Sequence, residues 1–210
     1  MSLAISEPQK IEARSFELID KYIKDLKLTP AQKQVVRRLI HATAEPRYAR
    51  EILFHPQAVA KALAAIKRGA NVIVDAAMVE AGINKRLLSG FGGKVICRIN
   101  DSAVIRKAEH LKLTRAILAM RESAALMNEA IVAIGNAPTA LLEVCRMIEE
   151  SRIKPSLVVG LPVGFVGARE SKEKLRGLKI PYITNQSRKG GSAAAASCVN
   201  ALLILALGRR

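Results

Sequence analysis

Three histidines, one arginine in an apolar helix and a basic glycine-rich loop are the positions in this 210-residue chain whose types and spacing could do chemistry. His41 follows Val35, Val36, Leu39 and Ile40, the apolar stripe of a helix, and precedes Ala42 and Thr43, where that helix is ending. The spacing predicts a partly buried imidazole at a helix C-terminus. The negative end of a helix dipole favours a protonated ring, which suits a proton donor. A buried structural histidine satisfies the same pattern. His55 stands before Pro56 at a helix start, a capping or solvated position, and His110 lies among Lys107, Glu109 and Lys112 in an exposed segment.

Residues 187–192, SRKGGS, set Arg188, Lys189, Gly190 and Gly191 immediately before a helix. Free backbone N–H groups and the positive end of the dipole make this an anion site, and a carboxylate fits it as well as a phosphate would. No GxxxxGK[ST] occurs, and neither residues 90–94 (GFGGK) nor residues 160–167 give a GxGxxG after a strand, so a nucleotide-dependent enzyme lacks its fingerprint. Arg121 lies in TRAILAMRESAALM, where Ile117, Met120, Ala124, Ala125 and Met127 predict a largely apolar surround. An arginine there needs an anionic partner, from the protein or from a ligand. Glu122 faces elsewhere on the helix, which leaves an external carboxylate open. Ser15, between Arg14 and Phe16, carries no signal of its own.

The elements that must position these residues are legible from composition and pattern. Half the residues are hydrophobic while aromatics are only 3%, so the core is aliphatic and disorder is excluded for most of the chain. Short aliphatic runs alternate with amphipathic stretches, the signature of an α/β protein with a buried parallel sheet. Helices are expected over 12–26, from Pro30 with Thr29 and Gln32 forming a capping box, and over 56–68, 112–128, 139–151, 168–176 and 192–207. Strands are expected at 71–75, 94–99, 130–134, 156–160 and 182–184. The expected fold is one domain spanning residues 1–210: an open, mainly parallel sheet with helices on both faces and N-terminal helices. Asp75, Gly135-Asn136, residues 160–164 and residues 185–191 all follow strands. In open parallel sheets ligands bind just beyond the carboxyl ends of the strands, so these loops are expected to converge on one site.

Lys and Arg outnumber Asp and Glu by 34 to 18, a net charge of +16, and such a field gathers anions. A nucleic-acid module would add a basic stripe interleaved with stacking aromatics, but the four Phe and three Tyr residues are scattered. Cys97, Cys145 and Cys198 fit no metal-ligand spacing and read as reduced core thiols. The start MSLAISEPQK lacks the features of a signal peptide, and the apolar tract 193–207 is broken by Ser197 and Asn200, short of a membrane span. A cytoplasmic protein without a membrane or nucleic-acid partner is the expectation.

The segments ARSFELI (13–19), LIHAT (39–43), DAAMVEAGI (75–83), RESAAL (121–126), AIGNAPTAL (133–141), GLPVGFVGARESK (160–172) and SRKGGSA (187–193) resemble the precorrin-8X methylmutase family, or precorrin isomerases, which includes a cobalt-precorrin-8 branch. The resemblance covers nearly the whole chain. It implies a step of corrin-ring synthesis in which a methyl group migrates from C-11 to C-12 of a polycarboxylated tetrapyrrole, giving hydrogenobyrinic acid or its cobalt counterpart. It implies no cofactor and no protein-bound metal, since cobalt arrives in the substrate, and it implies a homodimer. It makes His41 the proton donor and acceptor, and Ser15 and Arg121 substrate contacts. A sigmatropic methyl shift needs no nucleophile, so one acid is sufficient. The ring's carboxylate arms suit Arg188 and the Gly190 and Gly191 amides, and its flat apolar body suits Met78, Leu161 and Val163. Thr43 beside His41, with Asp75, Asn136 and Gly164 in the strand-end loops, completes the expected substrate-binding set.

Overall fold

Six short strands, β1 (Ile52–Phe54), β2 (Val72–Val74), β3 (Val95–Cys97), β4 (Ile131–Ile134), β5 (Leu157–Gly160) and β6 (Tyr182–Asn185), form one sheet in the order β1-β6-β5-β4-β2-β3. The computed structural model describes residues 8–208. Pairings from β6 to β3 are all parallel, and β1 alone runs antiparallel, along the β6 edge. The aliphatic strands β2, β4 and β5 are buried on both faces, as their sequences require, while the edge strand β3 is half-buried.

Alternate strand residues feed two cores. Val72, Val74, Ile131 and Ala133 point into a layer made by α1 (Pro8–Ile23), α2 (Pro30–Thr43), α3 (Ala58–Lys67), α4 (Ala77–Gly82), α5 (Lys85–Ser89) and α10 (Ser192–Ala206). Ile73, Val132 and Ile134 point into the opposite layer, made by α6 (Ser102–Leu111), α7 (Arg115–Glu122), α8 (Pro138–Glu149) and α9 (Ala168–Arg176). The doubly covered sheet matches the expected class. The capping box is present: the Gln32 amide donates to Thr29 Oγ1 at 3.3 Å and the Thr29 amide donates to Gln32 Oε1 at 2.9 Å.

Two expectations are corrected. Residues 112–128 do not form one helix. Lys112 takes a left-handed conformation (φ 52°) that ends α6, Thr114 caps α7 by accepting the Ile117 amide at 3.2 Å, and a short 3-10 turn, Ala124–Leu126, follows. The helix α7 stops at Glu122 with Ser123 as its C-cap, and no glycine or proline marks that stop, so the apolar periodicity reads past it. Strand β1 is an addition to the expected set, because three residues are too few to carry an alternation. Of the segment read for a leader, residues 1–7 lie outside the described residues. Among the described residues no helix is long and apolar enough to cross a membrane.

Candidate active site

The chain leaves β2 for β3 in one direction and then passes back beyond β2 to β4, so the strand order reverses between β2 and β4. Such a reversal normally opens a ligand crevice at the carboxyl ends. Here it is bridged. Asp75, directly after β2, accepts the Gly135 amide on Oδ1 at 2.9 Å and the Asn136 and Ala137 amides on Oδ2 at 2.9 and 2.7 Å. Burial raises its pKa, and the three amide donors oppose that shift. The side chain is fully buried with both oxygens engaged, which corrects its expected role as a ligand contact. It shapes the turn, and Asn136 and Met78 on either side stay exposed. Asp75→Asn would set an NH2 against backbone N–H donors and is expected to cost about 3 kcal/mol, read from the urea midpoint. A loss below about 0.5 kcal/mol would show the clamp to be dispensable.

The loops after β5 and β6 interlock. The Gly191 amide donates to the Leu161 carbonyl at 2.9 Å and the Gly164 amide to the Arg188 carbonyl at 3.2 Å. Leu161 is a second correction: its side chain is fully buried in the core, and its carbonyl is what reaches the loop. Val163 and Arg188 are exposed, and Phe165 and Val166 at the loop tip are 89% and 88% exposed. Among the described residues the amides of Arg188, Gly190, Ser192, Ala193 and Ala194 have no acceptor, and no side chain caps α10. A helix start with free N–H groups beside a guanidinium has the polarity that suits an anion.

His41 sits where α2 crosses α10, in a depression of about 230 Å³ lined by Arg38, His41, Ala42, Ser197 and Asn200. It is exposed, not partly buried as expected. One residue past Ile40 turns about 100° around the helix and leaves the buried stripe. The ring meets Phe16 edge-on (centroids 5.4 Å apart, 82°), and the guanidiniums of Arg37 and Arg38 lie 5.2 and 5.3 Å from the Phe16 centroid. Arg37 also pairs with Asp20 at 2.6 Å, and Arg38 with Glu12 at 3.2 Å. Ser15, next to Phe16, is half-buried and donates to the Ile11 carbonyl, and Thr43 donates to the Leu39 carbonyl, each at 2.9 Å.

Arg38, Ser197 and Asn200 join the lining although the sequence reading does not single them out as site residues. The available signal is the pair of polar residues interrupting the apolar tract of α10, which bears on site chemistry as well as on membrane spanning. Asn200 also holds the turn between α4 and α5, accepting the Asn84 amide and donating to the Gly82 carbonyl, both at 2.8 Å. Ser197 and Asn200 lie roughly 8 and 12 Å along the helix from Ser192. His41 and the 187–191 loop therefore lie within the span of one large ligand.

Arg121 lies in the other layer. Its Nε and Nη2 donate to the two oxygens of Glu143 at 2.8 and 3.2 Å, so its partner comes from the chain rather than an apolar surround. Glu143 is 5% exposed. Burial alone would raise its pKa, but hydrogen bonds from Arg146 and Arg121 outweigh that and hold the carboxyl at about 2. Arg121 remains 34% exposed. A larger cleft of about 700 Å³, lined by Lys61, Arg68, Lys154 and Lys179 among others, opens at the amino ends of the strands and contains none of the expected site residues. Among the described residues no group of three His, Cys, Asp or Glu side chains is placed to hold a metal ion.

Fold and site together define an α/β protein with an uncapped helix start beside Arg188 at the carboxyl end of its sheet and an exposed histidine on a neighbouring helix. The sequence profile of the precorrin-8X methylmutase family matches residues 10–205. The chain is 46% identical to the cobalt-precorrin-8 methylmutase of Priestia megaterium, over 95% of its length and 89% of that protein. It is 37% identical to the precorrin-8X methylmutase of Pseudomonas aeruginosa, over 94% and 96%. The crystal structure of precorrin-8x methyl mutase from Thermus thermophilus superimposes with a TM-score of 0.89 at 37% identity, covering 95% of this chain and 97% of that one. The chain belongs to the precorrin-8X methylmutase family and is an isomerase of corrin biosynthesis.

Proposed function

We propose that this isomerase moves the methyl group at C-11 of precorrin-8X, or of cobalt-precorrin-8, to C-12. The product is hydrogenobyrinic acid, or cobyrinic acid where the ring carries cobalt. His41 is the acid and then the base. Protonation of the conjugated ring draws electron density from the migration terminus. The methyl shifts between adjacent carbons, and the imidazole takes the proton back, so no atom is gained or lost. The observation that carries this reading is the position of His41: exposed, sharing a depression with Arg38, and packed beside the helix whose uncapped N-terminus adjoins Arg188. Arg188 and the Gly190 amide are the contacts we assign to the ring's carboxylate arms, with Ser15, Thr43, Asn136 and Gly164 around them, and Met78 and Val163 against its apolar body. No resident cofactor or protein-bound metal is required, because any cobalt belongs to the substrate. The testing experiment is a visible-absorbance assay of the purified protein with precorrin-8X, with and without cobalt. The expected result is conversion to a corrin spectrum, and failure of folded protein to convert either substrate sinks the assignment.

Two further properties belong to this reading. A depression of about 230 Å³ is smaller than the roughly 300–1,000 Å³ of ligand pockets, so one chain leaves a macrocycle open on one side. His41 and Arg121 also lie in opposite layers of the chain, and a second copy would let both face one ligand. A homodimer with substrate at the interface meets both demands. Sedimentation is expected to give the mass of two chains at micromolar concentration, and a monomer there overturns it. Three free cysteines, two of them buried, fit a reducing cytoplasm.

A further inference from the structure

Lys172 is the least expected side chain in the protein: a lysine on α9 that is 1% exposed. Its Nζ donates to the Ser187 carbonyl at 2.7 Å and to the Lys189 carbonyl at 2.6 Å. Asn185 reinforces it, donating from Nδ2 to Ser187 Oγ at 3.0 Å and to the Lys189 carbonyl at 3.1 Å. The carbonyl between them, that of Arg188, accepts the Gly164 amide. Three successive carbonyls are thus turned into the protein. A planar trans peptide points its N–H opposite its C=O, so the amides of Arg188, Lys189 and Gly190 are directed away from these acceptors. The Lys189 amide is answered by Ser187 Oγ at 3.2 Å, whereas those of Arg188 and Gly190 have no acceptor among the described residues. Successive outward amides of this kind form an anion-binding concavity.

We propose that Lys172 is a positioning residue that gives the 187–191 loop its anion-binding polarity, by holding the Ser187 and Lys189 carbonyls inward so that the Arg188 and Gly190 amides face a substrate carboxylate. The inference rests on the reading of this loop as a substrate contact. A buried ammonium is costly unless its donors are satisfied, and two carbonyls give strong charge-assisted bonds for it. The Ser187 carbonyl is held by the cation, and the Lys189 carbonyl by the cation with Asn185, so the loop's hold depends on the charge of Lys172. The groups around it are few. Glu51, in the 3-10 turn Pro46–Glu51 before β1, acts on Lys172 through space and also accepts Lys189 Nζ at 3.1 Å. Tyr48, in the same turn, is buried beside Glu51, and Cys198 of α10 acts on Tyr48. Arg188 and Lys189 belong to the loop, and Arg169, Glu173 and Arg176 of α9 line a shallow groove with Asn185 and Gln186. Burial pulls the Lys172 ammonium down from 10.5 to about 8, with Glu51 opposing.

The sign of the pH effect separates this role from simple stability. Between about pH 8 and 10.5 the unfolded chain holds the Lys172 proton more firmly than the folded one, so linkage makes this residue's contribution to global stability rise with pH. Loss of the charge over the same range weakens both bonds to the carbonyls, which then lose their charge assistance, so substrate affinity falls. The test compares wild type, Lys172→Met and Lys172→Arg by KM and kcat for precorrin-8X and by hydrogen exchange of residues 186–191.

For Lys172→Met the expected result is faster loop exchange, a KM raised about tenfold and a kcat within about twofold. Partial recovery is expected with arginine. Wild-type KM should rise from pH 7 to 9.5 while the methionine variant stays flat, and the wild-type profile needs no variant to fold. Unchanged loop exchange overturns the role of Lys172 whatever KM does. Faster exchange with unchanged KM also overturns the proposal, by showing that the loop is held by Lys172 but does not bind substrate. Turnover by wild type with loss in His41→Ala tests the reaction assignment separately.

Discussion

Replacing His41 with alanine is expected to lower turnover by roughly 10²- to 10⁴-fold, the ordinary contribution of one general acid–base group. Fold and ligand affinity should stay close to wild type. The imidazole is exposed, and its edge-on contact with Phe16 is worth about 1 kcal/mol. The donors assigned to the substrate carboxylates, the Arg188 and Gly190 amides, lie on another element and are untouched by the change. Rate and binding therefore separate cleanly at this position, which a buried histidine would not allow. Single-turnover absorbance, product affinity and a melting curve on the same preparation decide the matter. A near-wild-type rate removes His41 from proton transfer. A fall in affinity that parallels the fall in rate makes it a binding residue instead.

What is legible in the sequence is local. The Thr29–Gln32 capping box spans three residues, and the fully buried strands announce themselves as continuous aliphatic runs, so neighbouring residues are enough to reveal both. The glycine-rich start of α10 in SRKGGS is readable for the same reason, since glycines and cations sit next to the helix they precede. What stays hidden depends on contacts between distant residues. Asp75 meets the 135–137 amides sixty residues on, Arg121 meets Glu143 across two helices, and Lys172 reaches carbonyls in a loop beyond the next strand. Each is a charge whose partner within the chain no spacing rule supplies. The exposure of His41 is hidden differently: a helix ending at Thr43 leaves one residue to decide which side of the stripe the ring takes. The functional reading is carried by the family motifs, whose specificity lies in long contiguous segments such as residues 133–141 and 160–172.

Gly190→Ala is the second change expected to have a large effect, and its neighbour supplies the control. Gly190 has φ 153° and Gly191 has φ 122°, both in the region that side chains rarely adopt, so alanine at either position carries backbone strain of about 1–3 kcal/mol. Only position 190 adds a collision. A Cβ there would lie 2.2 Å from the Leu161 carbonyl oxygen and 2.9 Å from the Pro162 carbonyl oxygen, whereas at 191 the nearest atom is a Val163 methyl carbon at 4.0 Å. The obstructing atoms at 190 are backbone atoms, and the Leu161 carbonyl is itself held by the Gly191 amide, so no side chain can swing aside. The interlock between the loops after β5 and β6 must open, carrying the Arg188 and Gly190 amides out of register. Gly190→Ala should therefore weaken product binding by more than about tenfold, while Gly191→Ala, which keeps the interlock, should cost stability with a smaller change in affinity. Titration of both variants with hydrogenobyrinic acid beside urea denaturation gives the comparison. Equal effects of the two alanines on affinity would mean that strain alone governs the loop. An unchanged affinity in Gly190→Ala would place the carboxylate contact elsewhere on the molecule.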